Sequence, residues 1–175
     1  MKTLHMAHIE ANQQDYLIAW LAAIAIGIHV LESSFPMPVP GIKPGFANII
    51  TVASLVLFGW KTAAWVSCLR VLVGSLVIGT FLTPTFALSA SGAVASLLVL
   101  LIAVRLPVKF GPMGYCVLAA LAHMFAQIFM AYLLFIPHEA IFTLLPILMT
   151  AAVAFGIISG YITQTAVKTV EHYRQ

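Results

Sequence analysis

The chain has 175 residues, of which 62% are hydrophobic and 7% charged, with a formal net charge of +3. A water-soluble domain carries about a quarter charged residues, so this composition excludes one and points to helices in a bilayer. The eight basic residues are spread along the chain with no aromatic stacking platform, which argues against nucleic acid as a partner.

Apolar runs fall at about 16–33, 46–59, 62–82, 86–104, 113–136 and 140–166, separated by breaks rich in proline, glycine or charge. Each crossing takes about 20 apolar residues. The expected fold is therefore all-α, a polytopic six-transmembrane-helix bundle forming one domain over residues 1–175. Ahead of the first run stand Glu10 and Asp15, where a secretory leader would be basic, so the first helix is expected to be retained. Ala19, Ala23 and Gly27 repeat every fourth residue along it, a stripe of small residues on which another helix can close. His29 and Glu32 come at its far end, where the plainer reading is an interfacial polar cluster and the sharper one a gate.

The following segment holds Pro36, Pro38, Pro40 and Pro44, which cannot continue a helix and so imply an ordered loop or a partly buried cap. The second run is too short to cross an average bilayer upright, and short helices of this kind border binding sites in transporters. Asn48 and Thr51 open it, where a helix N-terminus presents unpaired N–H groups to an anion, although Asn48 also suits a simple cap. Lys43, in the loop just before, joins the candidate solute contacts.

Arg70 lies near the middle of the third run, at an insertion cost of about 2.5–3.5 kcal/mol. No acidic residue is expected at its depth, so it is read as facing an internal cavity and holding a carboxylate or phosphate, against the ordinary alternative of snorkelling or binding backbone carbonyls. Ser67 and Gly74 share its face. On the fifth run His123 and Gln127 are four apart and share a face, either lining the same cavity or hydrogen-bonding neighbouring helices. Cys68 and Cys116 sit inside apolar runs without metal-ligand spacing and read as packing residues.

Placing the N-terminus in the cytoplasm puts Lys2, Lys61, Arg105, Lys109, Lys168 and Arg174 inside and Lys43 alone outside. Both termini are then cytoplasmic. The single aspartate, Asp15, cannot supply the clustered carboxylates that hold Mg²⁺ against a diphosphate. Neither a phosphate-binding G-x-x-x-x-G-K-[ST] loop, an H-E-x-x-H helix nor a G-x-S-x-G elbow occurs. No catalytic residue, metal site or cofactor is expected, and transport driven by ATP would need another subunit.

The P-G-I-K-x-G-x-A-N-I-x-T pattern from Pro40 to Thr51, the L-R-V-L-V-G-S core around Arg70 and the G-T-F-L-x-P-x-F turn from Gly79 to Phe86 resemble the Gx transporter family, also called heptaprenyl diphosphate synthase component I. Pro44 stands where that family has leucine after the lysine. The family is in turn similar in size and layout to the substrate-binding S-components of energy-coupling-factor transporters. That resemblance implies six helices in a bacterial inner membrane and import of a small organic or anionic solute, with a transmembrane coupling subunit and its ATPases as partners. It also implies that Ala19 and Ala23 contact the coupling subunit. The synthase label implies instead a non-catalytic component associated with a prenyl diphosphate synthase.

Overall fold

A computed structural model describes residues 12–33, 46, 48–108 and 110–173. The proline-rich loop with Lys43, and the basic positions Lys2, Lys109 and Arg174, lie outside the described residues.

The described chain is all-helical: α1 (Gln13–Ser33), α2 (Asn48–Phe58), α3 (Trp60–Ile78), α4 (Pro84–Arg105), α5 (Pro112–Leu134), a 3₁₀ segment (Glu139–Leu144) and α6 (Leu145–Tyr173). Five of these spans are long and apolar enough to cross a bilayer, with the 3₁₀ segment and α6 counted as one. The chain is thus a multi-pass membrane protein, with the second apolar run realised as a short helix. Eleven residues of α2 reach only about 16 Å at 1.5 Å per residue, against a hydrocarbon core of about 30 Å.

Turn chemistry sets several boundaries. Gly59, at φ 86°, joins α2 to α3 without an intervening loop, and its N–H still reaches Leu55 O at 3.0 Å. A residue with a Cβ is strained at that angle. The third helix stops at Ile78, short of the expected position 82, because Gly79 adopts the left-handed conformation and caps it through N–H bonds to Leu76 and Ser75 carbonyls. Pro84 then opens α4 at a position where its missing N–H costs nothing. At the other end of the chain, α6 runs to Tyr173, past the expected 166, and its last turns are mostly exposed.

Short α2 is the centre of the bundle. It packs against α1, α3, α5 and α6, and seven of its residues are buried. Its approach is pinned on two sides: the Phe46 N–H donates to Glu32 Oε1 of α1 at 3.0 Å, and the Phe46 ring meets Phe155 of α6 edge-on at 5.1 Å. The α5/α6 seam is the closest helix contact. A Cβ on Gly156 would stand 2.9 Å from Val117 Cα, and one on Gly160 would stand 2.7 Å from Met113 Cα. These two glycines form a G-x-x-x-G pair that lets the helix backbones touch.

Candidate functional site

Because α2 and α3 share the turn at Gly59, their depths can be compared by counting outward from it. Asn48 and Arg70 each lie about ten residues from that turn, so both sit about 15 Å above the α2/α3 end of the bundle. Thr51 and Ser67 lie together one turn nearer to it. The N-terminus of α2 therefore opens near mid-depth, level with the arginine.

Arg70 is 2% exposed, and Ser67 and Gly74 on its face are buried with it. An acidic side chain acts on it across the bundle, which the sequence reading did not expect. Glu32, also buried, acts electrostatically on the guanidinium while accepting the Phe46 N–H. His29 and Glu32, at the far end of α1, are both buried against the bundle. The His29 ring lies against Gly74, where an added Cβ would come within 2.9 Å of it. That contact draws α1 against α3 and aims the α1 polar face at Arg70.

The α5 pair is buried as expected from its spacing. His123 rests on Gly92 of α4, whose missing Cβ would fall 2.7 Å from the imidazole. One turn further along, Gln127 is fully buried on the same face of α5, a helix that packs against α2, α4 and α6.

Several of these buried polar atoms make no hydrogen bond to any described group: Asn48 Nδ2 and Oδ1, Thr51 Oγ1, Arg70 Nε, and Gln127 Nε2 and Oε1. The capping role open to Asn48 is not what its side chain does. Elsewhere, small polar side chains are satisfied locally. Ser54, Ser75, Ser91 and Thr163 return their hydroxyls to carbonyls three or four residues back, and Ser96 reaches both Gly92 O and Ala119 O at 2.9 Å. The orphaned groups thus lie on α2, α3 and α5, with those of Asn48 and Arg70 at the same depth.

Lys43 falls outside the described residues. Ala19, Ala23 and Gly27 face away from the bundle, all three exposed, beside Trp20 at 73% exposure. Cys116 packs inside with its sulfur 3.4 Å from Thr163 Oγ1, whereas Cys68 is exposed, contrary to the packing role expected for it. It borders a groove of about 240 Å³ between α3 and α4, lined by Val71, Leu72, Phe86, Val94 and Leu97 among others.

Sequence reasoning missed the Glu32 partnership and both glycine seats for histidine. It also passed over the G-x-x-x-G pair of α6, although the spacing was there to be read. Comparison with known proteins found no match among curated proteins and none among solved structures. Residues 21–166, which take in α2 to α5, most of α1 and α6 and all of the buried polar residues described above, match the family described as heptaprenyl diphosphate synthase component I. The chain belongs to the heptaprenyl diphosphate synthase component I family.

Proposed function

We propose that this protein is the solute-binding subunit of a membrane importer, taking a small polar organic molecule at the cluster formed by Arg70, Asn48, Thr51, Gln127 and His123. The observation that carries this reading is the set of orphaned polar atoms on Asn48, Thr51, Arg70 and Gln127. Lipid offers such groups no hydrogen bonds, and each unsatisfied group costs several kcal/mol there. A bundle built only as an anchor gains nothing from that cost, whereas a binding site recovers it when a solute supplies the missing partners. A short helix whose N-terminus opens near mid-depth is a construction that transporters use for this purpose.

The excess of Lys and Arg at the end that carries Lys61, Arg105 and Lys168 supports a cytoplasmic placement of that end in the bacterial inner membrane. Energy would come from a transmembrane coupling subunit with ATPases, docking on the outward stripe of Ala19, Ala23 and Gly27. Lys43, in the segment before α2, would meet the solute on its way in.

Family membership favours a second reading: a non-catalytic membrane component working with a prenyl diphosphate synthase. The apolar α3/α4 groove suits an isoprenyl chain, and with Asp15 as the chain's one aspartate the partner would do the chemistry. Native mass spectrometry of the protein drawn from its own membrane in mild detergent separates the two. A bound polar organic molecule or a co-purifying coupling subunit supports the importer, and solute uptake into proteoliposomes without a synthase would establish it. A co-purifying synthase or a long-chain isoprenoid, with no polar solute, would replace the importer reading by the second.

A further inference from the structure

The orphaned atoms describe the solute that would satisfy them. Asn48 and Gln127 each present one amide N–H₂ donor and one carbonyl acceptor with no partner among the described residues, and exchanging N and O in either side chain leaves that inventory unchanged. Thr51 adds a hydroxyl that can donate or accept, and Arg70 adds the Nε–H donor. A carboxamide is met on both its atoms at once by a neighbouring N–H and C=O on the same edge of a solute, as adenine is met by asparagine in nucleic-acid recognition.

From this inventory we infer that the site takes a solute with at least two N–H/C=O edges, the chemistry of cyclic imides, ureides and pyrimidinones, with the Asn48 and Gln127 carboxamides each reading one edge. This inference rests on the solute-binding reading. Thr51 and Arg70 Nε serve the remaining acceptor positions of such a ring.

The test is the thermal unfolding midpoint of the full chain in lipid nanodiscs with four millimolar probes: uracil, 1,3-dimethyluracil, sodium benzoate and sodium diphosphate. Uracil carries two N–H/C=O edges and no charge, and its dimethyl derivative blocks both N–H groups at nearly the same shape. The expected result is a rise in the midpoint with uracil and none with the other three. Asn48→Leu, Gln127→Leu and the nearly isosteric Thr51→Val should each weaken the apparent affinity for uracil by about tenfold. A rise with benzoate or diphosphate and none with uracil would overturn the substrate class while leaving a solute site in place. A uracil response unchanged in all three variants would overturn the assignment of these residues. Folded protein that responds to none of the four probes would count against this inference and the importer reading together.

Discussion

Two halves of the bundle use small polar residues in opposite ways. Along α4, α5 and α6, hydroxyls close onto carbonyls of their own or neighbouring helices, and Gly156 and Gly160 bring α6 into backbone contact with α5. Around the head of α2, side chains of similar polarity and equal burial are left with atoms that pair with no described group. The first half behaves as membrane helices do when polar groups act as glue. In the second, buried polar atoms stand without a partner among the described residues, and these are the groups that the proposed solute would answer. Hydrophobicity is the same in both halves, so the distinction rests on whether each polar atom has a partner.

The largest effect should come from Arg70 and Glu32, opposite charges buried in the second half. Arg70→Met removes the buried cation that attracts the Glu32 carboxylate, and losing one side of such an interaction costs up to about 3–5 kcal/mol. Adding Glu32→Gln should recover about 1–3 kcal/mol of that loss, since residues in one network couple by amounts of this order. Denaturant titration of the two single variants and the double variant reads the coupling. Strictly additive losses would show that the two charges do not depend on each other.

The helix seam comes next. Gly160→Leu has nowhere to go, since even its Cβ would lie 2.7 Å from Met113 Cα, so α5 and α6 must part at a cost of about 1–3 kcal/mol. Gly74→Ala should cost less, because the neighbour there is the His29 ring, which can turn. Comparing the thermal stability of the two variants in detergent tests whether the seam is the rigid half. A Gly160 variant no worse than the Gly74 variant would erase the contrast.

These contrasts were only partly visible in the sequence. Short α2, buried Arg70 and the His123/Gln127 face follow from run length, charge in an apolar segment and a four-residue spacing, all local properties. The Glu32 partnership does not, because it depends on α1 turning inward through the His29 contact with Gly74 and on the chain returning at Phe46 to cap the carboxylate. Counting residues along α1 places Glu32 near a helix end, and only the packing of α1 against α3 and the chain's return at Phe46 show that it is buried and acts on the arginine. The two glycine stripes show the same limit from the other side. Ala19, Ala23 and Gly27 drew attention by spacing, yet the stripe that closes a contact within the bundle is Gly156 and Gly160, and spacing alone cannot say which face of a helix is inward.

Removing an orphaned amide should run against the usual direction of core mutations. Gln127→Leu exchanges two unpaired polar atoms for apolar ones in a fully buried position, so the unliganded protein should gain about 1 kcal/mol while losing solute binding. The same change at a satisfied position, Thr163→Val, removes a hydroxyl bonded to Ser159 O at 2.8 Å and should lose about 1 kcal/mol instead. Opposite signs in a denaturant titration would confirm that the two halves differ in satisfaction, and matching signs would remove the basis of the comparison.

The smallest effect on the chain itself is expected at the α1 stripe, where the consequence falls on a partner. Ala19→Leu and Ala23→Leu extend side chains from exposed positions on α1, so each should change stability by less than about 0.5 kcal/mol. A helix docked there in a complex needs the backbone of α1 within close reach, which a leucine in either position denies it. Unchanged stability with loss of a co-purifying membrane subunit would identify the stripe as the docking face. Unchanged stability with full retention of every co-purifying subunit would return the stripe to the lipid, and the partner would have to dock on another part of the bundle.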